Sequence, residues 1–526
     1  MKKKQLTRSI LLALAMSAAL GTTGMAMAPI TDTATVVDED DDIRVENTNS
    51  TEASIKIENK NAAVTLETGN GKDIYLVSAG SGIRTQGSAA GSISLESAND
   101  NQITFDTTTS SKGNGIDANS AMDISLTAAR DNVITSEGSE GDGVNAGANN
   151  TGTVTLTAGR SNVIRVVSDG IYTESSSTND EEYIAENGNN EITAGNNGID
   201  HRGSGTITLK AENGKNVIHA GVGQAEHEGD GLRVSGDGDV ELQAKYNEVT
   251  GQDEGINIDT AHSEVTITAT DSDENGIGNL ISGADNGIQI IGKKITSTSS
   301  GETATGESTV TVSAESGANR ITAGHTGITV NGNNNILNLF GNRNLIEVTG
   351  AVSESNNNWV YGINAQESGR VNIKSYSESD TVSNITVTDA HGAVRGIHAG
   401  TGGIVDIDQN ALKISVHRLD GTHNGSTQAE AGEVFGVAVN ADSLSNQTGD
   451  MAASLVDVTT NKDMTISVQS DADTTVSAGI YAGLNGQTSV ISENGKLDIS
   501  VKDTSDANGG TTQGIWTDSY GNIYVE

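Results

Sequence analysis

Cysteine is absent from this chain of 526 residues, and proline occurs once, at Pro29. The lack of cysteine excludes a disulfide framework, which many exported proteins use for stability. It also suits a chain that crosses a second membrane unfolded, because a closed disulfide loop would block that passage. Proline removes a backbone donor and is kept out of central strands. Its absence after residue 29 therefore indicates continuous hydrogen-bonded strands.

Basic and aromatic residues are also scarce. The chain has 30 Lys and Arg against 70 Asp and Glu, a net charge of −40, and only 3% aromatic residues. A surface of this sign repels nucleic acid and anionic lipid, so we expect no nucleic-acid partner. A hydrophobic content of 34% leaves disorder as a competing interpretation. The regular order of the apolar residues argues against it.

The first 28 residues have the pattern of a signal peptide. An apolar run over residues 10–20 follows the basic residues and is too short to span a bilayer. The small residues Ala26 and Ala28 predict cleavage after Ala28. Cleavage after Ala26 is the alternative, because Pro29 directly after the first site would hinder a peptidase. The basic residues are Lys2, Lys3, Lys4 and Arg8.

A glycine followed by Ile, Val or Leu recurs fourteen times, on average about every 33 residues. Periods of this length are typical of solenoids, in which each repeat buries its core only against its neighbours. The glycines are Gly82, Gly115, Gly143, Gly170, Gly198, Gly231, Gly255, Gly287, Gly327, Gly362, Gly396, Gly436, Gly479 and Gly514.

Each repeat has three parts. The first alternates strictly, as in Val154, Leu156 and Ala158 with Thr between them, which predicts a strand with one buried face. The second is Asn, any residue, then Ile or Val, and the third is the Gly–Ile segment. An Asn at the same corner of every repeat can donate and accept hydrogen bonds along the stack. The pattern predicts an all-β fold, a right-handed parallel β-helix with three short strands per coil and about 14 coils.

The Asn position divides the chain. It recurs at Asn101, Asn132, Asn162, Asn190, Asn216, Asn247, Asn279, Asn319 and Asn344 and then fades. We therefore predict a flexible acidic segment over residues 29–54, a regular β-helix over 55–350, and a continuing β-helix with longer loops over 351–526. Residues 175–186 and 297–308 lack the pattern and are interpreted as loops. The last residues begin another strand, so we expect the natural chain to continue beyond Glu526.

The signal peptide, the acidic chain without cysteine and the stacked Gly–Ile and Thr-Val-Thr-Leu repeats together resemble the passenger region of bacterial autotransporters, which are type V secreted surface proteins. The resemblance covers nearly all of residues 30–526. It implies a Gram-negative host, export to the outer membrane and cell surface, and a β-helix that is often adhesive. It also implies an outer-membrane translocator barrel as partner. That barrel is absent from this chain, because two Trp, nine Tyr and three Phe residues cannot supply its aromatic girdles.

Motifs for catalysis or cofactor binding are weak. The chain has no Gly-x-Ser-x-Gly elbow and no His-Glu-x-x-His spacing, and the His residues are expected at the surface. Residues 271–276 match half of a calcium loop, but Ser282 stands where the loop needs Glu, so a polar turn is favoured. We predict no catalytic, cofactor-binding or metal-binding residues. Serine-protease passengers exist in the resembled family, but their nucleophile motif is missing here.

These features favour a non-enzymatic surface scaffold that serves adhesion, self-association or display, with a host receptor, a glycan or a second copy as partner. Trp359 or Trp516 could anchor a receptor, although rings lying over a neighbouring coil are the favoured interpretation. One alternative is a secreted carbohydrate-active lyase or hydrolase, which would need carboxylates and a basic residue on one sheet. Another is the stalk of a larger protein.

Overall fold

The computed structural model describes residues 26–106, 113–138, 140–223, 229–260, 262–292, 307–332, 334–350, 359–376, 381–389, 393–419, 432–440, 453–471, 474–504, 511–517 and 521–526. All regular elements in these ranges are β-strands, and they join in one 41-stranded sheet. The predicted all-β class is confirmed. No helix in the described ranges has the length and hydropathy needed to cross a bilayer.

The strands follow one another closely along the chain. The first are β1 (Ala26–Met27), β2 (Ala34–Asp38), β3 (Ile43–Asn47), β4 (Ala53–Glu58), β5 (Asn61–Thr68), β6 (Ile74–Ser78), β7 (Ser81–Ser97), β8 (Asn101–Asp106), β9 (Ile116–Ala128), β10 (Asp131–Glu137), β11 (Val144–Ala146), β12 (Val154–Ala158), β13 (Ser161–Val166) and β14 (Ile171–Thr173). The next are β15 (Glu181–Ala185), β16 (Asn190–Ala194), β17 (Ile199–His201), β18 (Thr206–His219), β19 (Leu232–Val234), β20 (Asp239–Thr250), β21 (Ile256–Ile258), β22 (Glu264–Ala269), β23 (Ile277–Gly283), β24 (Asn286–Ile291), β25 (Thr309–Ala323), β26 (Thr326–Asn331), β27 (Ile336–Thr349) and β28 (Trp359–Gln366). The last are β29 (Arg370–Lys374), β30 (Val382–Asp389), β31 (Ala393–Ala399), β32 (Ile404–Gln409), β33 (Ala411–Arg418), β34 (Gly432–Val439), β35 (Ser454–Thr460), β36 (Met464–Ser470), β37 (Thr474–Ala482), β38 (Gly486–Ser492), β39 (Leu497–Asp503), β40 (Thr511–Thr517) and β41 (Asn522–Val525).

The strands pair in parallel along three ladders, each of which takes one strand or strand segment per repeat. The alternating ladder includes β9, β12 and β15. The Asn ladder includes β10, β13 and β16. The Gly–Ile ladder includes β11, β14 and β17. The three ladders surround one continuous apolar core, which contains buried side chains from Ile30 to Val490.

The alternating ladder behaves as its sequence predicts. Val154, Leu156 and Ala158 are buried, while Thr155 and Thr157 between them are partly exposed. Leu156 pairs with Leu126 on one side and, through the next strand, with Tyr183 on the other. Burying one such aliphatic side chain stabilises the fold by about 1.5–3 kcal/mol, and the same position is filled on every repeat.

The Asn ladder carries a row of buried amides. In each of eight steps from Asn101 to Asn344, Nδ2 of one Asn donates to Oδ1 of the next at 2.8–2.9 Å. Nδ2 of Asn344 then donates to Oε1 of Gln409 at 3.3 Å. The prediction of donor–acceptor pairing along the stack is confirmed.

The Gly–Ile ladder requires glycine because its strands pack closely against the core. A Cβ on Gly198 would lie 2.2 Å from Cγ2 of Ile218 and 2.5 Å from the carbonyl oxygen of Gly231. Cγ2 of an Ile in the Asn ladder fills the same space on most repeats, so the two sequence signals are sterically coupled.

The interpretation of residues 175–186 as a loop is wrong over its second half. Strand β15 lies in register between Val154 and Ile207, and places Glu181 and Tyr183 inside the core at 1% exposure. The Tyr183 hydroxyl donates to Oε2 of Glu181 at 2.6 Å, and Nδ2 of Asn179 lies 3.5 Å from Oε1. The missed strand is thus a core strand with one buried polar pair, which breaks the apolar alternation.

Strand structure begins earlier than residue 55. Residues 29–54, for which the sequence predicts a flexible segment, contain β2 and β3 and the start of β4, all paired into the ladders. Part of the acidic run forms a turn, in which the Asp38 carboxylate accepts the backbone N–H groups of Asp40 and Asp41. Residues 293–306 lie outside the described residues, and residues 297–306 among them make up most of the second predicted loop. Ser308 after them is fully buried.

Candidate functional site

The sequence-predicted cleavage site lies at the start of the described chain. Residues 1–25 lie outside the described residues. Ala26 and Met27 form β1 and pair with Arg44 and Val45 of β3. Ala28 follows this short strand and precedes Pro29.

One outward row of side chains runs beside the Gly–Ile ladder, formed by the residue before each of the thirteen glycines from Gly115 to Gly514. We call it the pre-glycine row. Its members are Asn114, Asp142, Asp169, Asn197, Asp230, Glu254, Asn286, Thr326, Tyr361, Arg395, Phe435, Ala478 and Gln513. From Asn114 to Asn286 every member is an amide or a carboxylate. Such side chains hydrogen-bond to neighbouring backbone and tolerate tight turns.

The first part of this row is tied together by hydrogen bonds to the backbone. Oδ1 of Asp142 accepts from the N–H of Asp169 at 3.2 Å, and Oδ1 of Asp169 accepts from the N–H of Asn197 at 2.9 Å. Oδ1 of Asn197 accepts from Asp230 N at 2.9 Å, and Oδ1 of Asp230 from Glu254 N at 3.3 Å. Each carboxylate or amide is therefore held in place by the next repeat.

Stacking acids in this way is electrostatically costly. Burial, and next the charge of Asp142, raises the pKa of Asp169 to about 7. Burial, and next the neighbouring Asp230, raises the pKa of Glu254 well above its ordinary range, with Asp253 adding to the effect. Like charges on successive repeats of parallel strands lie about 4.8 Å apart. The burial of each charged carboxylate and the repulsion between neighbouring carboxylates therefore both disfavour the ionised form.

The densest group of acids at the row consists of its members Asp230 and Glu254 together with Asp253, the residue before Glu254. One carboxylate oxygen from each lies within 4.8 Å of the other two. Asp230 is 5% exposed and Glu254 is 6% exposed. We call these three residues the acidic cluster.

Amide side chains surround the acidic cluster. Nδ2 of Asn257 donates to Oδ2 of Asp230 at 3.1 Å. Nδ2 of Asn286 and Nε2 of Gln289 donate to Oε1 of Glu254 at 3.2 and 3.3 Å. These neutral donors orient the carboxylates, but they do not neutralise them.

Two arginines lie on the same outward face. Asp200 is fully buried and pairs with Arg202, whose guanidinium lies 5.0 Å from the ring centre of Tyr172. Arg233 lies in register between Asp200 and Asn257. Its Nε is buried and has no hydrogen-bond partner among the described residues. The face therefore combines carboxylates and guanidinium groups at neighbouring positions.

Asp285 and His325 precede the next two members of the row, one and two repeats beyond the acidic cluster. Nδ2 of Asn286 also donates to Oδ2 of Asp285 at 3.1 Å. Oδ1 of Asp285 is buried without a hydrogen-bond partner in the described structure and lies 4.0 Å from Nδ1 of His325. His325 is 7% exposed, and its Nε2 likewise has no partner there.

The two tryptophans lie over neighbouring repeats. The Arg395 guanidinium lies 4.3 Å from the ring centre of Trp359. Trp516 contacts Tyr481 edge-on at 5.1 Å, and Tyr481 stacks on Phe435 at 4.9 Å. This geometry matches the favoured interpretation of rings packed along the stack, and both tryptophans stay partly exposed.

The expectation of surface histidines is wrong for three of those in the described ranges, namely His325, which is 7% exposed, and two that lie within strands. His201 is fully buried, with Nδ1 at 2.7 Å from Oγ1 of Thr173 and Nε2 at 2.9 Å from the carbonyl oxygen of Gly205. His398 is also fully buried and stacks on Tyr361 at 5.3 Å. Both positions lie within strands, so burial follows from the ladder and not from the residue type.

The predicted calcium half-loop over residues 271–276 forms a turn. Oδ1 of Asp273 accepts the N–H groups of Asn275 and Ile277, each at 2.8 Å. The acidic cluster, by contrast, was not predicted. Its only sequence signal is that an acid or amide repeatedly precedes the glycine of the Gly–Ile pair.

Comparisons with known proteins found no relative for this chain. A scan against protein-family models, a search of curated proteins and a search of solved structures each gave no match.

Proposed function

We propose that the three parallel ladders form a right-handed parallel β-helix with three short strands per coil and about 14 coils. The proposal is supported by the pairing of each strand with its counterpart one repeat later, as in Val144 with Ile171 and Ile171 with Ile199. It is further supported by the right-handedness of nearly all parallel crossover connections in sheets.

We propose that this β-helix is an exported, surface-displayed passenger that acts as a non-enzymatic scaffold for adhesion, self-association or display. The observation that carries the proposal is the continuous apolar core from Ile30 to Val490, enclosed by strands whose outward residues are largely hydroxyl and acidic. A chain built in this way provides a long, soluble surface. The signal-peptide pattern of residues 1–28 supports export across the inner membrane of a Gram-negative bacterium.

Solution shape and binding test this function together. The full chain should scatter X-rays as a rod and show saturable association with host cells, with a glycan or with itself. The matched control is the same chain with Trp359 and Trp516 replaced by Ala, which removes the two partly exposed aromatic anchors. A compact particle would overturn the scaffold proposal, and a rod that associates with none of the three would overturn its adhesive part.

A second candidate, a carbohydrate-active lyase or hydrolase, is favoured by one observation. The acidic cluster lies on the same outward face as Arg202 and Arg233. Two neighbouring carboxyl groups supply the acid and the base or nucleophile of glycoside cleavage. Release of reducing ends from a panel of acidic and neutral polysaccharides tests this candidate, with Glu254→Gln as the inactive variant and Asp142→Asn as its matched control.

A further inference from the structure

We propose that the repeat containing β15 opens locally when Glu181 loses its proton, which makes this repeat the pH-sensitive point of the stack. Glu181 occupies a core position and is 1% exposed. The residues in register with it on the two neighbouring strands are Val154 and Ile207, and both are fully buried. A carboxyl group therefore takes the place of an aliphatic side chain, and its charged form is costly to bury unless a cation accompanies it.

The hydrogen-bond partners of Glu181 in the described structure are neutral. The Tyr183 hydroxyl donates to Oε2 at 2.6 Å, and Nδ2 of Asn179 lies 3.5 Å from Oε1. Oδ1 of Asn179 accepts in turn from Oγ of Ser177 at 2.5 Å, and both of these side chains are buried. The carboxyl group thus belongs to a small polar cluster that offers hydrogen bonds but no positive charge.

Charged side chains on the strands packed around β15 lie toward solvent. Strand β12 contains none. In the core of the next repeat, both ring nitrogens of His201 are bound, to Oγ1 of Thr173 and to the carbonyl oxygen of Gly205, and burial lowers the pKa of this histidine. Apart from Glu181 and Tyr183, the titratable side chains on β13, β15, β16 and β18 are exposed or partly exposed, namely Arg165, Glu182, Glu191, Lys210, Glu212, Lys215 and His219.

The proton on Glu181 is bound more tightly in the closed repeat than in the open one. Burial raises the pKa of Glu181 from 4.5 to about 7, although the hydrogen bonds from Tyr183 and Asn179 lower it. Burial, and next the charge of Glu181, raises the pKa of Tyr183 well above its ordinary range, so the phenol keeps its proton. Once the repeat opens, water surrounds Glu181 and its pKa returns toward 4.5. The extra stability of the closed repeat is therefore present below pH 4.5 and is lost as the pH rises toward 7.

The stack can open at one repeat because each repeat contacts only its neighbours. Strand β15 pairs through five residues with β12 and through five with β18. Loss of these two pairings hydrates Glu181, while the ladders before β12 and after β18 persist. A difference of about 2.5 pKa units between the open and closed forms corresponds to an increase in the opening equilibrium constant of up to about 300-fold.

Hydrogen exchange of the full chain, corrected for the intrinsic pH dependence of exchange, measures this opening. Asp169 lies two residues before β14 and its pKa is also raised to about 7, so all proteins compared carry Asp169→Asn. In this background the protection of the β15 amides should fall about 50- to 100-fold from about pH 5 to about pH 8. Protection of β36, which contains no titratable residue, should change by less than about threefold.

Two glutamine variants assign the effect to one carboxyl group. Glu181→Gln keeps the shape of the side chain and an acceptor for Tyr183, and it should reduce the pH dependence in β15 to less than about threefold. The matched control is Glu182→Gln, which removes the neighbouring exposed carboxylate and should leave the dependence unchanged. Circular dichroism checks that both variants retain their strands.

Four outcomes would overturn the proposal. The first is protection of β15 that does not change with pH in the background chain. The second is a Glu181→Gln variant that keeps the dependence, and the third is a Glu182→Gln variant that loses it. The fourth is an equal change in β15 and β36, because it indicates unfolding of the whole stack.

Tyr183→Phe provides a second test that leaves the titrating group in place. It removes a hydrogen bond that lowers the pKa of Glu181. The pH at which the opening constant stops rising should therefore move upward from about 7. If that pH is unchanged or lower in Tyr183→Phe, the assignment of the titration to Glu181 is wrong.

Discussion

The pre-glycine row has two different chemistries in the two halves of the molecule. From Asn114 to Asn286 it consists of amides and carboxylates, and those from Asn114 to Asp230 accept a backbone N–H of the next repeat. From Tyr361 to Phe435 the same register positions carry two aromatic rings with a guanidinium between them, and the rings lie 5.8 and 5.7 Å from it. The strands beneath are alike, so the ladder does not determine what the outer row presents. The same strand arrangement therefore supports polar side chains in one part of the pre-glycine row and aromatic side chains in another.

The largest effect on the free energy of unfolding is expected when a buried aromatic side chain of the pre-glycine row is shortened to alanine. Phe435 is 1% exposed and packs on Tyr481, so Phe435→Ala should lower the free energy of unfolding by about 3–4 kcal/mol. Urea unfolding followed by circular dichroism measures this loss. Val37→Ala, at a side chain that is 54% exposed, is the control and should change stability by less than about 0.5 kcal/mol. Equal losses in the two variants would contradict the packing role of the aromatic half.

The glycines should be equally necessary in both halves. Gly198→Ala in the polar half and Gly436→Ala in the aromatic half should each cost about 3 kcal/mol, because the new Cβ would meet an Ile methyl and a carbonyl oxygen. At Gly514 a Cβ meets nothing within 4 Å, so Gly514→Ala should cost little. Thermal unfolding of the three variants makes the comparison, and a destabilised Gly514→Ala would contradict it.

Loss of one buried asparagine of the Asn ladder should have an intermediate effect on the free energy of unfolding. Asn216→Ala removes the acceptor of Asn190 and the donor to Asn247, so it should cost about 2 kcal/mol. Hydrogen exchange of the neighbouring strands should increase at the same time. The exposed Asn494→Ala, whose amide bonds only to Asn461, is the control. An unchanged exchange pattern in Asn216→Ala would show that the row does not stabilise the stack.

The stability of the polar half should also depend on pH. The folded-state pKa of Asp169 is raised from 3.8 to about 7, so the folded chain binds the proton more tightly than the unfolded chain. The stability that this group contributes is present below pH 4 and is lost as the pH rises toward 7. Asp169→Asn keeps the acceptor for Asn197 N. It should be more stable than wild type by up to about 4 kcal/mol at pH 8, since a pKa shift of about three units corresponds to that free energy, and no more stable at pH 4. A constant difference at the two pH values would contradict the assignment.

Periodic positions were predictable from the sequence because repetition defines them. Val154, Leu156 and Asn162 recur with fixed neighbours, and the ladders bury each where the pattern expects. Strand β15 was missed because Glu181 occupies a core position, and its carboxylate is stabilised by Tyr183, which no periodicity reveals. The predicted polar turn at Asp273 agrees with its hydrogen bonds.

The acidic cluster could not be predicted for a different reason. Asp253 and Glu254 are adjacent in the chain, but Asp230 joins them only through the register of β19 with β21. Repeat lengths vary, so the sequence does not show which acids share a level. The same applies to Asp285 and His325, which are separated by residues 293–306 of a longer connection. Ladder register brings these residues together.

The row of asparagines has a polarity that no single hydrogen bond possesses. Every amide from Asn101 to Asn319 donates toward the later repeats, and Oδ1 of Asn101 has no partner in the described structure. Nine parallel amide dipoles add up along the stack, as peptide dipoles do along an α-helix. A repeat that docks after the row must therefore present an acceptor, as Gln409 does, and one that docks before it must present a donor. The asparagine side chains alone thus make the two ends of the stack chemically different, with a free acceptor at the first end and a donor at the last.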